Sequence, residues 1–278
     1  MRFGITARLV LASTGGFFLA ACGGSGGSAV ETRPDTGFVI TGNPETAAGA
    51  TWTFRNTLDG VTYDLAGVLL KPAGAGPFPA VVLSHGSEGS AAFFASLVAP
   101  TMVQWGLVCI AVNYTHATGV PIGAPGTTSD PGASEANVLR AHMTHELLRR
   151  LGYVDMSRVA VHGHSMGGYL DVAEAAEFPN DFRVASHTGA GVRPSAIIFG
   201  PAPSPTQAEN LRVPYQMHHG DADATVPLSY DTRLDSLLTA HGVDHQLFEY
   251  PGEDHLTVRT DPNALSRIHD WYAAHGMF

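Results

Sequence analysis

Apolar residues occur along the chain in short runs that end at proline or glycine. TWTFRN and YDLAGVLLKP, between residues 51 and 72, have the length and composition of strands. The later runs are continuously apolar, which is typical of strands covered on both faces, as in a parallel sheet. They are FPAVVLSHG, GLVCIAVNY, RVAVHG, SAIIFG, VPYQMHHG and HQLFEYPG.

The segments between these runs have the spacing of helices. They are AAFFASLVAPTMVQWG, SEANVLRAHMTHELLRRLG, GGYLDVAEAAEF, SYDTRLDSLLTAHG and NALSRIHDWYAAHG, and most end in glycine, a helix stop signal. Strands that alternate with helices predict βαβ units with right-handed crossovers. We therefore expect one α/β domain with a doubly wound, mostly parallel central sheet flanked by helices, and no large cap domain.

The N-terminus differs in character from the rest of the chain. Arg2 and Arg8 precede an apolar stretch, LVLASTGGFFLA, that is too short for a comfortable membrane span. The stretch ends at Leu19–Cys22, LAAC, which resembles a bacterial lipobox. The resemblance implies that residues 1–21 are a lipoprotein signal peptide and that Cys22 is lipidated. An ordinary secretory signal cleaved near the same place is the alternative.

A segment rich in Gly, Ser, Thr and Pro follows, and we expect residues 22–50 to be a tether and lead-in to a folded domain at 51–278. A lipidated cysteine anchors a chain to a membrane without spanning it. The expected location is therefore the bacterial cell envelope, in the periplasm or at the outer membrane or cell surface. Gly23, next to the cysteine, favours the outer membrane.

Charge and cysteine content exclude several classes of protein. The net charge of −10, with no cluster of Lys and Arg, argues against a nucleic-acid partner. The chain has two cysteines, Cys22 and Cys109. If Cys22 is lipidated, no intramolecular disulfide can form. Cys109, in LVCIAV, is expected to be a small buried hydrophobic residue.

One serine lies in a motif that predicts a sharp turn of the backbone. Gly163–Gly167, GHSMG, matches G-x-S-x-G, in which a strand turns sharply into a helix with the serine at the apex. The residues two before and two after the serine crowd each other, so both must be small. The flanking strand and helix predicted here satisfy that context, so we expect Ser165 to be a nucleophile. A glycine-rich turn with an inert serine is the alternative.

A serine hydroxyl needs a base, and the base needs an orienting group. HHGDADATVP resembles the H-G-x-x-D-x-x-V-P pattern of many α/β-hydrolases, and that pattern assigns the acid to Asp223 rather than Asp221. His255 follows the last predicted strand, in a loop where its ring can reach the serine. His241, His245 and His269 are competitors at a helix end, at a strand start and within a helix. Glu253 and Asp254 are too close to His255 to orient it.

Two backbone amides are expected to hold the oxyanion. One belongs to Met166, directly after the serine. The other belongs to Ser87 in LSHGSEG, with Glu88 as the alternative. The Pro/Gly-rich loop 116–133 follows a strand, so it should lie over the carboxyl edge of the sheet and shape the pocket together with residues 200–210; a plain connector is the alternative.

Fourteen histidines raise the question of a metal. His142 and His145 are three residues apart on a predicted helix, and His218 and His219 are adjacent. No HExxH motif or Cys/His spacing occurs. We interpret these side chains as exposed or satisfied by partners, and we expect neither a metal nor a cofactor. His164, inside the sharp turn, is expected to be structural.

These residues together resemble the α/β-hydrolase superfamily over roughly residues 50–278. Within it the chain is similar to dienelactone-hydrolase-like and cutinase-like esterases, above all in VDMSRVAVHGHSMGG. Dienelactone hydrolases proper carry a cysteine nucleophile where this chain has Ser165. Bacterial polyesterases have a C-terminal disulfide, and no cysteine follows Cys109 here. They also place a tryptophan after the strand that follows the sharp turn, a position that we assign to FGPAPSP.

The resemblance implies a serine hydrolase that cleaves carboxylic esters through an acyl-enzyme formed by Ser165, His255 and Asp223. Its substrate is expected to be a small-molecule or polymer ester. A serine peptidase of the prolyl-oligopeptidase type and a non-catalytic binding lipoprotein are the alternatives. The acyl chain, the alcohol and the oligomeric state stay open.

Overall fold

The computed structural model describes residues 37–58, 61–87, 89–118, 131–197 and 200–278. These residues contain nine strands: β1 (Val39–Gly42), β2 (Ala50–Leu58), β3 (Val61–Leu70), β4 (Phe78–Ser84), β5 (Val108–Val112), β6 (Val154–His164), β7 (Val184–Thr188), β8 (Tyr215–Gly220) and β9 (His245–Tyr250). They form one sheet in the order β1-β2-β3-β5-β4-β6-β7-β8-β9. In this order, β1, β2, β3 and β5 pair antiparallel with one another. The strands β5, β4, β6, β7, β8 and β9 pair parallel.

Six helices connect the strands within the described ranges: α1 (Ala91–Gln104), α2 (Glu135–Leu148), α3 (Met166–Glu177), α4 (Pro205–Ala208), α5 (Ser229–Ala240) and α6 (Pro262–Ala274), with a 3₁₀ turn at Val258–Thr260. The five helices predicted from spacing are present. Ser90 caps α1 by accepting a hydrogen bond from the amide of Phe93 at 3.1 Å, and Asp261 caps α6 in the same way.

Two hydrophobic cores lie on opposite faces of the sheet. In β4, Ala80 and Val82 face the core that holds α2, α3 and α5, whereas Val81 and Leu83 face the core that holds α1 and α6. Because successive strand residues point to opposite faces, a continuously apolar strand must be covered on both sides. The predicted doubly wound sheet is confirmed, and no large cap domain separates its described elements.

The strand that follows α3 is not the one predicted. SAIIFG was expected to be a strand, but Ser195 and Ala196 form a turn, and the strand is β7. β7 contains the polar residues Ser186 and His187, so it lacks the continuous apolar run that predicted the other parallel strands. Both side chains are nevertheless fully buried, because each has a hydrogen-bond partner. The position after this strand is therefore Gly189–Val192 rather than FGPAPSP, and it contains no tryptophan.

The sheet also starts earlier than predicted. β1 lies inside the segment 22–50 that we expected to be a tether, and it pairs antiparallel with β2. It is a four-residue edge strand with exposed side chains, so its sequence carries little apolar signal. Residues 1–36, including Cys22, lie outside the described residues. In the described part of the chain, no helix has the length and apolar character needed to cross a membrane.

Cys109 is buried in β5 as a free thiol, as predicted. The central strand β4 lies between β5 and β6, so the chain reverses its direction of winding there. Ligands of open α/β sheets bind outside the carboxyl ends of the strands at such a point. The fold therefore predicts a ligand site at the residues that follow β4 and β6.

Candidate active site

Ser165 lies at the sharp turn between β6 and α3. Its φ of 56° and ψ of −121° make it the only non-glycine residue with positive φ in the described ranges. A Cβ atom at Gly163 would come within 2.6 Å of the backbone of Gly167, and one at Gly167 would collide with the carbonyl of Ser84. The predicted sharp turn and its need for small residues are confirmed. Strain of this kind persists only where the surrounding structure holds it.

Asp223 and His255 are in direct contact. His255 Nδ1–H donates to Asp223 Oδ2 at 2.7 Å, and the amides of Thr225 and Val226 donate to Asp223 Oδ1 at 2.8 Å each. The Asp223 side chain is 1% exposed and that of His255 10%. With the proton held on Nδ1, the imidazole keeps a lone pair on Nε2 that can accept a proton.

The loops that carry these two residues are joined to each other. Asp221 accepts a hydrogen bond from the Gly252 amide at 2.7 Å and donates its own amide to Tyr250 O at 3.1 Å. The Ala222 amide donates to Glu253 O at 3.1 Å. Asp221 therefore supports the turn, as predicted, and does not contact His255 in the described hydrogen bonds.

His255 also lies beside the serine. Its ring centroid is 4.7 Å from that of His164, the residue directly before Ser165. Ser165 and His255 are each 8% exposed. The hydrogen bonds of the described residues include no bond between Ser165 Oγ and the imidazole. Such bonds are often long in ligand-free enzymes and tighten when substrate binds.

The other candidate histidines are engaged elsewhere. His164 Nδ1 is 2.9 Å from Thr188 Oγ1, and burial lowers its pKa well below the usual value, with further lowering from the charges of His255 and Arg259. A neutral ring with an occupied nitrogen fits the predicted structural role. The three competitors have other neighbours: Arg212 for His241, Asp235 for His245 and Trp105 for His269.

The loop after β4 lies against the nucleophile. A Cβ atom at Gly86 would be 3.2 Å from Ser165 Cβ. His85 fixes this loop, because its Nδ1–H donates to Gly86 O at 2.8 Å and its Nε2 accepts from the Tyr114 amide at 3.2 Å. Burial lowers the pKa of His85 to about 3, with a smaller contribution from His116, so the ring is neutral at pH 7.

The two amides predicted for the oxyanion hole lie at this same place. Ser87 follows Gly86 and is exposed, and Met166 is the first residue of α3. The amides of the first helical turn have no partner inside their helix, so they are free to bind an anion. Glu88, the alternative donor, lies outside the described residues.

A polar network behind Asp223 was missed by the sequence analysis. Asp231 accepts hydrogen bonds from His219 Nδ1 and His187 Nε2, each at 2.7 Å, and all three side chains are fully buried. His219 Nε2 is in turn 3.4 Å from Asp223 Oδ2 and 2.9 Å from Val226 O. Burial alone would lower the pKa of His219, but the Asp231 carboxylate raises it above the usual value.

A signal for this network was present in the sequence. Asp231 lies three and seven residues before Leu234 and Leu238, so it shares the buried face of α5 with them. An acid on a buried helix face needs a basic or hydrogen-bonding partner, and the adjacent pair His218 and His219 offered one.

The base of loop 116–133 lies over the carboxyl edge of the sheet. His116 Nε2–H donates to His85 O at 3.1 Å, and the Thr118 amide donates to Gly89 O at 2.8 Å. Residues 119–130 of this loop lie outside the described residues. The described part supports the prediction that the loop borders the site rather than connecting distant elements.

Comparison with known proteins identifies the family. Residues 65–274 match the dienelactone hydrolase family. The chain belongs to this family. A Synechocystis sp. (strain ATCC 27184 / PCC 6803 / Kazusa) protein named "Putative carboxymethylenebutenolidase" is 25% identical over 234 residues, which are 80% of this chain and 94% of that protein. The protein is therefore a dienelactone hydrolase-like α/β-hydrolase.

Solved structures share the fold. The esterase Est2 of Thermogutta terrifontis, with propionate bound, has a TM-score of 0.60 at 15% identity, over 88% of this chain and 97% of that one. Dipeptidyl peptidase 4 of Porphyromonas gingivalis has a TM-score of 0.62 at 13% identity, over 82% of this chain. This chain spans about a third of the peptidase chains that it matches, 35% and 36% in two cases.

Proposed function

We propose that this family member is a serine hydrolase that cleaves carboxylic esters. Ser165 is the nucleophile, His255 the general base, and Asp223 the carboxylate that orients it. The observation that carries the proposal is the 2.7 Å contact between Asp223 and His255, beside a serine whose backbone is strained. A buried acid–imidazole pair next to an apical serine is the arrangement that makes a hydroxyl nucleophilic.

In the proposed reaction, Ser165 Oγ attacks the ester carbonyl while His255 Nε2 takes its proton. Asp223 holds the tautomer and stabilises the imidazolium. The amides of Ser87 and Met166 bind the oxyanion, and each such donor contributes about 2.7–4 kcal/mol to the rate in enzymes of this type. The imidazolium then gives the proton to the leaving alcohol, and water cleaves the acyl-enzyme by the same steps in reverse.

The choice of ester over peptide depends on the relatives. Est2 is an esterase with a carboxylate bound, and it matches this chain along nearly its whole length. The peptidase chains are matched over about a third of their length, so most of each peptidase has no counterpart here. Small-molecule or polymer esters are therefore the proposed substrates.

The test compares wild type with Ser165→Ala on esters whose acyl chains run from acetate to palmitate. We expect the variant to lose activity on every ester, by roughly 10⁶-fold in kcat. Ser96→Ala, an exposed serine on α1, serves as the matched control and should keep the wild-type rate. Wild type should also react with a fluorophosphonate probe at Ser165.

Three outcomes would contradict the proposal. They are full ester hydrolysis by Ser165→Ala, absence of probe labelling in the folded wild-type protein, and hydrolysis of peptides faster than that of every ester. The last outcome would favour the peptidase alternative, and the second would favour a binding protein.

We also propose that Cys22 is lipidated and holds the protein in the bacterial cell envelope, at the outer membrane. The sequence LAAC at Leu19–Cys22, followed by a Gly/Ser-rich segment, supports the proposal. Wild type expressed in a bacterial host should partition into the detergent phase of Triton X-114. Cys22→Ala should appear in the aqueous phase, and detergent partition unchanged by this substitution would rule out the anchor.

A further inference from the structure

Three side chains outside the proposed active site converge on one point. His142 and His145 lie one turn apart on α2, and Asp181 lies in the connection between α3 and β7. One potential ligand atom from each of the three side chains lies within 4.8 Å of the other two. Asp181 Oδ2 is 2.9 Å from His142 Nδ1 and 3.6 Å from His145 Nδ1.

His142 Nδ1, His145 Nδ1 and Asp181 Oδ2 are buried, and the hydrogen bonds of the described residues include none to these three atoms. The His145 side chain is 1% exposed and that of His142 10%. An unpaired buried polar atom destabilises a fold, and a native protein rarely has three of them facing one another. Each Nδ1 atom faces a carboxylate oxygen instead, Asp181 Oδ2 for His142 and Glu146 Oε1 for His145.

The other nitrogen of His145 fixes the direction of its lone pair. His145 Nε2 lies 3.1 Å from the carbonyl oxygen of Asp181, which can only accept, so the proton is on Nε2. In the neutral ring, Nδ1 then presents a lone pair toward Glu146 Oε1 at 3.3 Å and Asp181 Oδ2 at 3.6 Å. A lone pair that faces two carboxylate oxygens is repelled by them unless a metal cation or a proton lies between.

Histidines that bind metals show this same arrangement. Their second ring nitrogen donates to a backbone carbonyl or a carboxylate, which sets the tautomer and the ring orientation. Aromatic neighbours hold both rings here. His142 stacks on Phe178 with centroids 3.7 Å apart, and His145 meets the edge of Phe182 at 5.2 Å.

Both separations between the carboxylate oxygen and the histidine nitrogens are near those around a small ion. Bonds of about 2.0–2.1 Å in tetrahedral geometry place neighbouring ligand atoms about 3.3–3.4 Å apart. The observed 2.9 Å and 3.6 Å lie on either side of that value. Two imidazoles with one carboxylate suit Zn²⁺ rather than Mg²⁺ or Ca²⁺, which favour all-oxygen sites.

We propose that His142 Nδ1, His145 Nδ1 and Asp181 Oδ2 bind one Zn²⁺ ion, with water completing the tetrahedron. The ion would join α2 to the connection between α3 and β7, on the same face of the sheet. The inference is independent of the proposed ester hydrolysis. Its alternative is a doubly protonated His145 that donates to the two carboxylates without any metal.

The test is calorimetric titration of ZnCl₂ into the folded mature protein after EDTA treatment and dialysis. We expect one saturable site in wild type. Loss of an outer-shell partner costs about 10–100-fold in metal affinity, so His142→Gln, His145→Gln and Asp181→Asn should each weaken binding more than that. Zinc should also raise the melting temperature of wild type but not of these variants.

The matched control is His275→Gln. His275 Nε2 lies 3.1 Å from Asp244 Oδ2, so the variant removes a histidine–aspartate pair that has no third ligand among the described residues. This variant should bind zinc as wild type does. Absence of a saturable site in wild type, or equal zinc affinity in wild type and in the His142, His145 and Asp181 variants, would overturn the proposal.

A measurement on the wild-type protein keeps the proposal testable if the variants fail to fold. Crystals soaked in zinc should give an anomalous peak within about 2.0–2.2 Å of the three ligand atoms. A zinc peak only at other histidines, or none, would show that His145 is held by protonation instead.

Discussion

At the scale of single residues, the Asp231 carboxylate links two buried histidines to the proposed catalytic acid. His219 binds Asp231 with one nitrogen and lies near both Asp223 Oδ2 and Val226 O with the other. Val226 in turn donates its amide to Asp223 Oδ1. The position of Asp223 therefore depends on a side chain that never reaches the substrate.

Asp231→Asn tests this dependence. The amide keeps the shape of the carboxylate, but its NH₂ group faces one of the two donating imidazoles, so at least one hydrogen bond is lost. We expect kcat on an ester to fall about tenfold, which is about 1.4 kcal/mol in the barrier, with little change in KM. We also expect the free energy of unfolding to fall by about 1–3 kcal/mol.

Asp235→Asn is the matched control, because Asp235 lies on the same helix with its side chain 40% exposed. Asp235→Asn should change neither kcat nor the free energy of unfolding. If Asp231→Asn unfolds more easily but keeps the wild-type kcat at full folding, the network supports the fold without positioning the acid.

The residue types of the site were predictable because each lies in a local pattern. GHSMG predicts a sharp turn because it has small residues at both ends, and HGDAD places Asp223 directly after a strand. The structure brings Asp223 and His255 into contact as those patterns predicted. Asp231 was missed because its partners come from two other strands, and no local pattern records them.

At the scale of elements, helices were predicted better than strands. Helix ends carry glycine and capping residues that are visible in the sequence. Strand β7 carries no such mark, because three of its five buried side chains are polar and satisfied only by tertiary contacts. β1 was missed for the opposite reason, since an exposed edge strand needs no apolar face.

The error at β7 had a consequence for function. The prediction placed the strand after α3 too late in the chain. It therefore also misplaced the position that would carry a substrate-stacking tryptophan. The structure places Gly189 there, in a left-handed conformation, where a Cβ atom would come within 3.1 Å of His255 Nδ1. A side chain at this position would press on the proposed base, so glycine is required by the site itself.

At the scale of the whole molecule, buried ionisable groups set the response of stability to pH. Burial lowers the pKa of five histidines: to about 3 for His85 and His162, well below the usual value for His164 and His218, and below it for His116. Burial also raises the pKa of Asp171 and Glu174 well above the usual value, with neighbouring carboxylates adding to the shift of Glu174.

The buried histidines and the buried acids change the free energy of unfolding in opposite directions as pH changes. Below about pH 6.5 the unfolded chain binds protons that the buried histidines do not, so stability falls as pH falls. Above about pH 4.5 the unfolded chain releases protons that Asp171 and Glu174 keep, so stability falls as pH rises. Each titrating side chain changes the free energy of unfolding by about 1.4 kcal/mol per pH unit, so the five histidines outweigh the two acids on the acidic side.

We therefore expect the free energy of unfolding in urea to be greatest near about pH 6.5, and lower at about pH 5 and about pH 8. Glu174→Gln should flatten the decline toward pH 8 and make stability rise more steeply from about pH 5 to about pH 6.5, because the raised pKa of Glu174 opposes the histidines over that range. Glu177→Gln, an exposed acid on the same helix, should leave the whole curve unchanged. A stability that keeps increasing from about pH 6.5 to about pH 8 would contradict this account.

The hydrogen bonds between the loop of Asp221–Asp223 and the loop of Gly252–His255 have a consequence for the choice of nucleophile. They make the proposed base and its carboxylate a preassembled cassette that owes little to the apex of the turn where the nucleophile lies. A thiol in place of the Ser165 hydroxyl would therefore leave the groups that move the proton unchanged.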